Sequence, residues 1–218
     1  MDPALLDDFA HRAQGLIRAQ GLIGTRRRSV LGITGPPGAG KSTLASALVA
    51  RLRADGVAVA HVPMDGFHLA DVALDQRGLR SRKGAIETFD VDGYLALLLR
   101  LRSDVDHDVL APDFDRTLEQ PLAGSITIRA GDRLVVTEGN YLLDEQDPWP
   151  SVRSALDEVW FVDLPDDERR RRLVRRHVEF GKAEPAAREW VARVDEANAP
   201  RITARRDLAD LVIEAARF

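Results

Sequence analysis

The chain has 218 residues and a net charge of −4 at pH 7, with 44% hydrophobic and 30% charged residues, as is typical of a globular protein. This length suits one large domain or a domain with an inserted lobe, and the charge gives no overall attraction to nucleic acid or to a membrane surface. The absence of cysteine excludes disulfide frameworks, thiolate metal sites and cysteine nucleophiles. The first residues lack the pattern of a signal peptide and the apolar runs are too short to cross a bilayer, so we expect a cytoplasmic protein.

Helices and strands are predicted to alternate along the chain. In chain order, the pattern predicts a leading helix within residues 1–24, a strand at 29–34, a helix at 41–54, a strand at 57–64, a helix at 91–102, a strand at 134–138, a helix and then a strand at 159–163, two further helices before residue 200, and a closing strand at 210–214. The central strands are continuous apolar runs rather than alternating ones. This combination predicts an α/β doubly wound fold, in which helices cover both faces of a parallel sheet. The polar stretches 66–90 and 104–130 are the expected sites of a substrate-binding lobe.

The segment GPPGAGKST lies between the strand at 29–34 and the helix at 41–54. It matches the phosphate-binding pattern G-x-x-x-x-G-K-[ST], in which glycines let consecutive backbone N–H groups wrap a phosphate. The positive end of the following helix faces the same phosphate. Lys41 is expected to reach the β- and γ-phosphates of a nucleoside triphosphate, and the Ser42 hydroxyl to ligate Mg²⁺. The predicted phosphate-binding residues are Gly35, Pro36, Pro37, Gly38, Ala39, Gly40, Lys41, Ser42 and Thr43.

Two carboxylates follow apolar strands of the predicted sheet. Asp65 comes at the carboxyl end of the strand at 57–64, where open α/β sheets bind ligands, and could accept the proton of an attacking hydroxyl. Its strand is expected to neighbour the phosphate-loop strand. Glu138 ends the strand at 134–138 and fits the acidic position that holds Mg²⁺ directly or through water. For each of these two carboxylates, the alternative is a plain turn or strand end with no functional role. Three weaker candidates for the same pocket are His68, Asn140 and Tyr141.

The segment RRRRLVRRH forms an arginine-rich helix in the second half of the chain. Helical spacing places Arg169, Arg172 and Arg176 near one face, with Arg171 and Arg175 beside it. Arginines in this position could close over a transferring phosphoryl group as a lid. A solvated helix face and non-specific contact with RNA are the alternatives.

The chain uses arginine for almost all of its cations. Of 31 basic residues only three are lysines, namely Lys41, Lys83 and Lys182. Because arginine serves wherever a generic cation is enough, a retained lysine is more often one that needs a compact ammonium group.

Together these motifs resemble the phosphate-loop kinases that include uridine kinase, bacterial type I pantothenate kinase and phosphoribulokinase. The resemblance rests on GPPGAGKST, MDGFHL, RKGAIETFD, TEGNYLL and RRLVRRH followed by NA, and it covers the chain from about Ser29 to Ile213. A bacterial set of small kinases, described loosely as nucleoside, nucleotide or fructose kinases, looks closer still. The resemblance implies a single P-loop kinase domain with a five-stranded parallel core, ATP with Mg²⁺ as cofactors, and phosphorylation of a hydroxyl. It also implies an acceptor-binding region within 66–130 and a helical lid within 166–185.

The resemblance assigns roles to individual residues as well. It implies that Asp65 is the base that activates the hydroxyl and that Arg172 and Arg176 belong to the lid. It places Arg82 and Lys83, in RKGA, near the acceptor. The segment APDFDR lacks the tyrosine and histidine with which uridine kinases read the base. The acceptor therefore stays open among nucleosides, sugars and pantothenate-like compounds.

The main alternative from another class is a P-loop nucleotide hydrolase that acts as a switch or an assembly factor. Guanine specificity usually needs an N-K-x-D loop, but neither Asn140 nor Asn198 is followed by lysine. An RNA-binding protein is disfavoured by the negative net charge and by the lack of aromatics among the arginines. The expected partner is a small-molecule hydroxyl acceptor, with no nucleic acid and no membrane, while a homodimer stays open.

Overall fold

The computed structural model describes residues 1–22, 24 and 26–217. The elements in chain order are α1 (Pro3–Leu22), β1 (Ser29–Thr34), α2 (Lys41–Ala54), β2 (Val59–Pro63), a 3₁₀ turn (Met64–Phe67), α3 (Asp71–Gln76), α4 (Val91–Ser103), β3 (Val109–Asp115), β4 (Gln120–Ile128), β5 (Leu134–Glu138), α5 (Trp149–Ser154), β6 (Glu158–Asp163), α6 (Asp166–Glu179), α7 (Glu184–Trp190), a π-helical turn (Val191–Asp195), α8 (Glu196–Thr203) and β7 (Leu211–Glu214). No helix in this part of the chain is long and apolar enough to span a membrane.

Five parallel strands of the described residues form the central sheet, in the order β2-β5-β1-β6-β7. Every residue of β1 and β5 is buried, and successive residues face opposite sides. Val30 joins a core that includes residues of α4, α5 and α8, whereas Leu31 and Ile33 join a core built with α1 and α2. Because helices cover both faces of the sheet, its strands can be apolar throughout instead of alternating apolar and polar residues. The doubly wound fold predicted from the sequence is confirmed.

Strand β5 lies between β2 and the phosphate-loop strand β1. It pairs Leu134 with Val59 on one side and with Ser29 on the other. The expectation that the strand before Asp65 neighbours β1 is therefore wrong. The fully buried strand β5 takes the central place, and the partly exposed β2 takes the edge. As a result Glu138, rather than Asp65, ends the strand next to the phosphate loop.

Strands β3 and β4 form an antiparallel hairpin within the predicted acceptor region. The hairpin packs directly on the 3₁₀ turn that follows β2, because Gly66 has no side chain. A Cβ built on Gly66 would lie only 2.4 Å from the carbonyl oxygen of Pro112. This close approach brings the tip of the hairpin beside Asp65.

Helix α6 packs against the phosphate loop through one buried arginine. The guanidinium of Arg169 is fully buried, donates to the carbonyl oxygen of Pro37 at 3.2 Å, and pairs with Glu196 of α8. Leu173 is buried on the same face of α6. The start of α6 is thus fixed to the loop, and its later turns extend past the loop toward α7.

Candidate active site

The phosphate loop, residues 35–43, joins the end of β1 to the start of α2 and owes its shape to glycine. Gly35, Gly38 and Gly40 have φ values of +147°, +82° and +103°. A Cβ on Gly35 would lie 2.4 Å from the carbonyl oxygen of Val162 in the adjacent strand, so only glycine fits there. Gly35, Pro36 and Ala39 are buried and shape the loop from beneath.

The side chain of Lys41 folds back over this loop. Its Nζ donates to the carbonyl oxygen of Pro36 at 3.2 Å. Burial lowers the pKa of Lys41 to about 8, while the carboxylates of Glu138 and Asp65 act in the opposite direction. No carboxylate of the described residues forms an ion pair with Lys41, and a buried ammonium in this state is well suited to meet the phosphates of a nucleotide.

Ser42 and Glu138 meet where a magnesium ion is expected. The Ser42 hydroxyl donates to Glu138 Oε1 at 2.8 Å, and the Glu138 side chain is almost fully buried. Burial, followed by the negative charge of Asp65, raises the pKa of Glu138. A hydroxyl and a carboxylate at this spacing fit Mg²⁺, which prefers oxygen ligands and completes its shell with phosphates and water. A cation there would also relieve the repulsion between the two carboxylates.

Asp65 lies in the 3₁₀ turn after β2, with its carboxylate at the same cleft as Lys41. Its Oδ2 is 3.4 Å from a guanidinium nitrogen of Arg116, at the tip of the β3–β4 hairpin. About a quarter of the Asp65 side chain is exposed, so the carboxylate can be reached by a small molecule. Asp65 therefore combines the position and the access that a general base needs.

His68 lies in the cleft wall behind Asp65. Its Nδ1 donates to the carbonyl oxygen of Asp65 at 2.9 Å, and its ring lies 4.1 Å from Phe89 and 4.9 Å from Phe114 between ring centroids. Burial lowers the pKa of His68, so the ring is neutral at pH 7. The residue lines the cleft, as predicted from the sequence, but its contacts also brace the turn that holds Asp65.

Asn140 and Tyr141 follow the end of β5 but differ in where they lie. Asn140 lines the cleft, and its carbonyl oxygen accepts a hydrogen bond from the Thr34 hydroxyl. Tyr141 is 1% exposed, donates from its hydroxyl to the carbonyl oxygen of Gly84 at 2.8 Å, and packs against Trp149. The predicted position of Tyr141 in the pocket is thus corrected, because its ring supports the wall from inside the core.

Lys83 and Arg82 are adjacent in sequence, but only Lys83 reaches the cleft. Lys83 Nζ is 2.7 Å from a carboxylate oxygen of Asp71, donates to the carbonyl oxygen of Glu119, and lies 5.4 Å from the ring centroid of Phe114. The 3₁₀ turn at 80–82 directs Arg82 away from the cleft, where it pairs with Glu87 and is 63% exposed. The predicted role of Arg82 at the acceptor is therefore corrected.

The five arginines of α6 that the sequence pattern singles out lie in different surroundings. Arg169 is a buried support for the loop rather than a lid residue. Arg171 and Arg175 are exposed and pair with neighbouring glutamates of the same helix. Arg172 pairs with Glu168 at 3.1 Å and lies beside Gly40 of the loop. Arg176 is half-buried and has no hydrogen-bond or ion-pair partner within the described chain, which leaves its guanidinium free for an anionic ligand.

Two cavities meet at the phosphate loop. The inner cavity, of about 190 Å³, includes Asp65, His68 and Lys83 in its walls. The outer cavity, of about 710 Å³, lies along α6 and includes Thr43 and Arg172. The residues that line both cavities are Gly38, Lys41, Ser42, Arg116 and Arg176. A phosphate held by the loop would therefore be accessible from two sides.

Arg116 and Asp195 belong to the site but were missed from the sequence. Arg116 lines both cavities because the hairpin folds back over the end of β2. Asp195 is 9% exposed, lines the inner cavity from the π-helical turn, and lies 3.1 Å from His177 Nε2. Turns of this kind often occur at functional sites, but the sequence carries no local signal for one.

Comparison with known proteins agrees with this geometry. A family model described as an AAA domain matches residues 31–192. Protein YggC of Escherichia coli is 34% identical over 201 residues, which cover 91% of this chain and 83% of that protein. C227.14 of Schizosaccharomyces pombe, provisionally named a uridine kinase, is 30% identical over 225 residues, which cover 100% of this chain and 93% of that protein.

The solved structures include a protein from Silicibacter sp. TM1040 provisionally named a fructose transport system kinase. It is 36% identical, covers 91% of this chain and 98% of its own, and superimposes with a TM-score of 0.81. The similarity thus extends over the phosphate loop, the hairpin and the arginine helix. This chain belongs to the AAA domain family, within the group of P-loop kinases related to uridine kinase.

Proposed function

We propose that this protein is an ATP- and Mg²⁺-dependent kinase that phosphorylates a hydroxyl group of a small molecule. The observation that carries the proposal is the meeting of two cavities at the phosphate loop. The outer cavity offers the nucleotide a path along α6, and the inner cavity offers the acceptor a separate place beside Asp65. This arrangement suits in-line transfer, in which the attacking and leaving oxygens lie on opposite sides of the γ-phosphorus. The kinase names of the relatives support the same reading.

The cations around the loop would hold the nucleotide. Lys41 would contact the β- and γ-phosphates, and Arg176, which has no partner among the described residues, would contact the γ-phosphoryl group as negative charge spreads over its oxygens. Ser42 and Glu138 would hold Mg²⁺, which neutralises part of the phosphate charge when it is bound. Arg172 at the loop side of α6 would extend this cationic surface.

Asp65 would orient the acceptor hydroxyl and then take its proton. The hydroxyl oxygen forms a bond to the γ-phosphorus while the bond from that phosphorus to the bridging oxygen of ADP breaks. The hydroxyl proton passes to the Asp65 carboxylate, and ADP leaves through the outer cavity. The proton moves late, when the alcohol has become acidic, so an ordinary carboxylate is a sufficient base.

The proposal is tested by measuring ADP release with and without a panel of alcohols that contains nucleosides, pentoses, hexoses, glycerate and pantothenate. We expect release to depend on at least one acceptor and to be lost in Lys41→Ala, a variant that keeps the fold because its side chain serves the phosphates. A nucleotide hydrolase that acts as a switch would release ADP at the same rate with no acceptor present. That result, or full activity of a folded Lys41→Ala protein, would refute the kinase proposal.

A further inference from the structure

All three lysines of this arginine-rich chain line the inner cavity. They come from three distant parts of the sequence: the phosphate loop, the turn after α3, and the segment between α6 and α7. Lysine differs from arginine in presenting a compact, strongly hydrated charge on a flexible stem, which suits a single anionic group. The contacts of each ammonium group therefore decide which of the three lysines is available to a ligand in this cavity.

For two of these lysines, the surroundings already explain why a cation lies in the cavity. Lys41 belongs to the phosphate loop, and the charge of Lys83 is matched by Asp71 at 2.7 Å and by the carbonyl oxygen of Glu119. Lys182 differs from both. Its backbone N–H donates to the carbonyl oxygen of His177, but its Nζ has no hydrogen bond or ion pair to any residue that the structure describes. The Nζ lies 4.9 Å from the ring centroid of Trp190. A contact with an aromatic face leaves the three N–H donors of the ammonium available.

The aromatic rings of the cavity are poor platforms for a nucleobase. Phe114 is covered by Lys83 at 5.4 Å and by the His68 ring at 4.9 Å. Trp190 has both Lys182 and Arg193 over its ring, the latter at 5.7 Å. A base could stack on either ring only by displacing one of these groups. The cavity is therefore better suited to a hydrophilic acceptor than to an aromatic one.

We infer that the acceptor is a small hydroxy compound that carries an anionic group, either a carboxylate or a phosphate, and that Lys182 binds this group. The inference rests on the proposed kinase function and adds the class of its substrate. The acceptor hydroxyl lies at Asp65, on the hairpin side of the cavity, and the anion lies at the segment between α6 and α7. Lys182 is thus a residue that determines specificity through binding and takes no part in proton transfer.

The test compares acceptors that share a carbon skeleton but differ in charge. Acceptor-dependent ADP release is measured for glycerate against glycerol, gluconate against glucose, and ribose 5-phosphate against ribose, with uridine as the nucleoside. We expect an anionic member to have a kcat/KM at least 100-fold above its neutral partner and above uridine. The glycerate and gluconate pairs test for a carboxylate on the acceptor, and the ribose 5-phosphate pair tests for a phosphate.

Lys182→Gln is then compared with Arg193→Gln. Both changes remove a cation from the ring of Trp190, but Arg193 is exposed and does not line the cavity. We expect Lys182→Gln to raise KM for the anionic acceptor about 10- to 100-fold with little change in kcat, since a charged hydrogen bond made equally in the ground and transition states is lost. Arg193→Gln should keep both constants.

The inference is overturned if a neutral alcohol or uridine is the best acceptor, or if Lys182→Gln leaves KM unchanged. Either result leaves the kinase proposal intact. If no compound of either charge stimulates ADP release while ATP still binds, the kinase function fails and the inference fails with it. Equal melting temperatures of the two glutamine variants exclude a fold defect as the cause of a change in KM.

Discussion

Asp65→Asn is the substitution that separates catalysis from nucleotide binding most directly. The change keeps the size and polarity of the side chain but removes its ability to take a proton. Among the described residues Asp65 has one ionic partner, Arg116 at 3.4 Å, and the side chains of Asp65 and Arg116 are 28% and 46% exposed. Because pairs with this exposure contribute at most about 1 kcal/mol, the variant should keep nearly the full free energy of unfolding.

The expected effect on turnover is much larger than the effect on stability. General acid–base catalysis contributes about 10²- to 10⁴-fold to a rate, which corresponds to about 3–5 kcal/mol of the activation barrier. Binding of Mg·ATP should be retained within about threefold. Asp65 raises the pKa of Glu138 through its charge, so its neutralisation makes the ionised form of Glu138 more favourable rather than less.

The assay pairs calorimetric titration with Mg·ATP and turnover with the best acceptor found in the panel. Asp75→Asn is the matched control, because Asp75 also pairs with an arginine, Arg80 at 3.2 Å, but lines neither cavity. Loss of ATP binding in Asp65→Asn would assign Asp65 to magnesium or to the turn. Turnover equal to that of the wild-type protein would show that transfer needs no base at this position.

Three further substitutions test other parts of the site. Arg176→Ala should lower kcat about 10²- to 10³-fold in steady-state kinetics, because the charge that stabilises the transition state is lost. Arg171→Ala, on the exposed side of α6, is the control and should leave kcat unchanged. Gly38→Ala should weaken ATP binding at least tenfold in calorimetry and lower the free energy of unfolding in urea by about 1–3 kcal/mol. The new Cβ would lie 2.7 Å from Leu173 Cγ, and the φ of this position is +82°. Burial lowers the pKa of His68, so the unfolded chain binds more protons and stability is lost as pH falls below the unfolded value near 6.5. Between pH 7.5 and 5.5 the wild-type protein should therefore lose more free energy of unfolding in urea than His68→Phe does, and equal losses would refute the assignment.

The elements around the phosphate loop could be predicted from the sequence because their signals are local. The predicted strand at 29–34 and helix at 41–54 have the same bounds in the structure. Strand order could not be obtained in this way, because it depends on which of two apolar runs pairs with β1. That choice is made by burial across the whole sheet, where β5 is buried at every residue and β2 is not.

The positions of Asp65 and Glu138 at the candidate site were predictable, because Glu138 ends an apolar strand and Asp65 follows one within two residues. The site was not predictable where the position depends on contacts between distant segments. Arg116 reaches the loop only because a hairpin folds over Gly66, and helical spacing could not tell which face of α6 packs inward. Arg169 therefore looked like a lid residue, although its guanidinium is fully buried.

The burial of Arg169 also bears on how a lid on α6 would work. Its guanidinium is bonded to the Pro37 carbonyl of the loop and to Glu196, so pulling it away would leave a buried charge without partners at a cost of several kcal/mol. The first turns of α6 are thus held on the loop, and movement of the helix as a whole is disfavoured. Arg176 and Lys182, two cations of the inner cavity that form no ion pair among the described residues, lie beyond this anchor. Arg176 lines both cavities and Lys182 lines the inner one. Under the proposed function, one segment would therefore contact both the nucleotide and the acceptor, which would favour transfer to the acceptor over transfer to water.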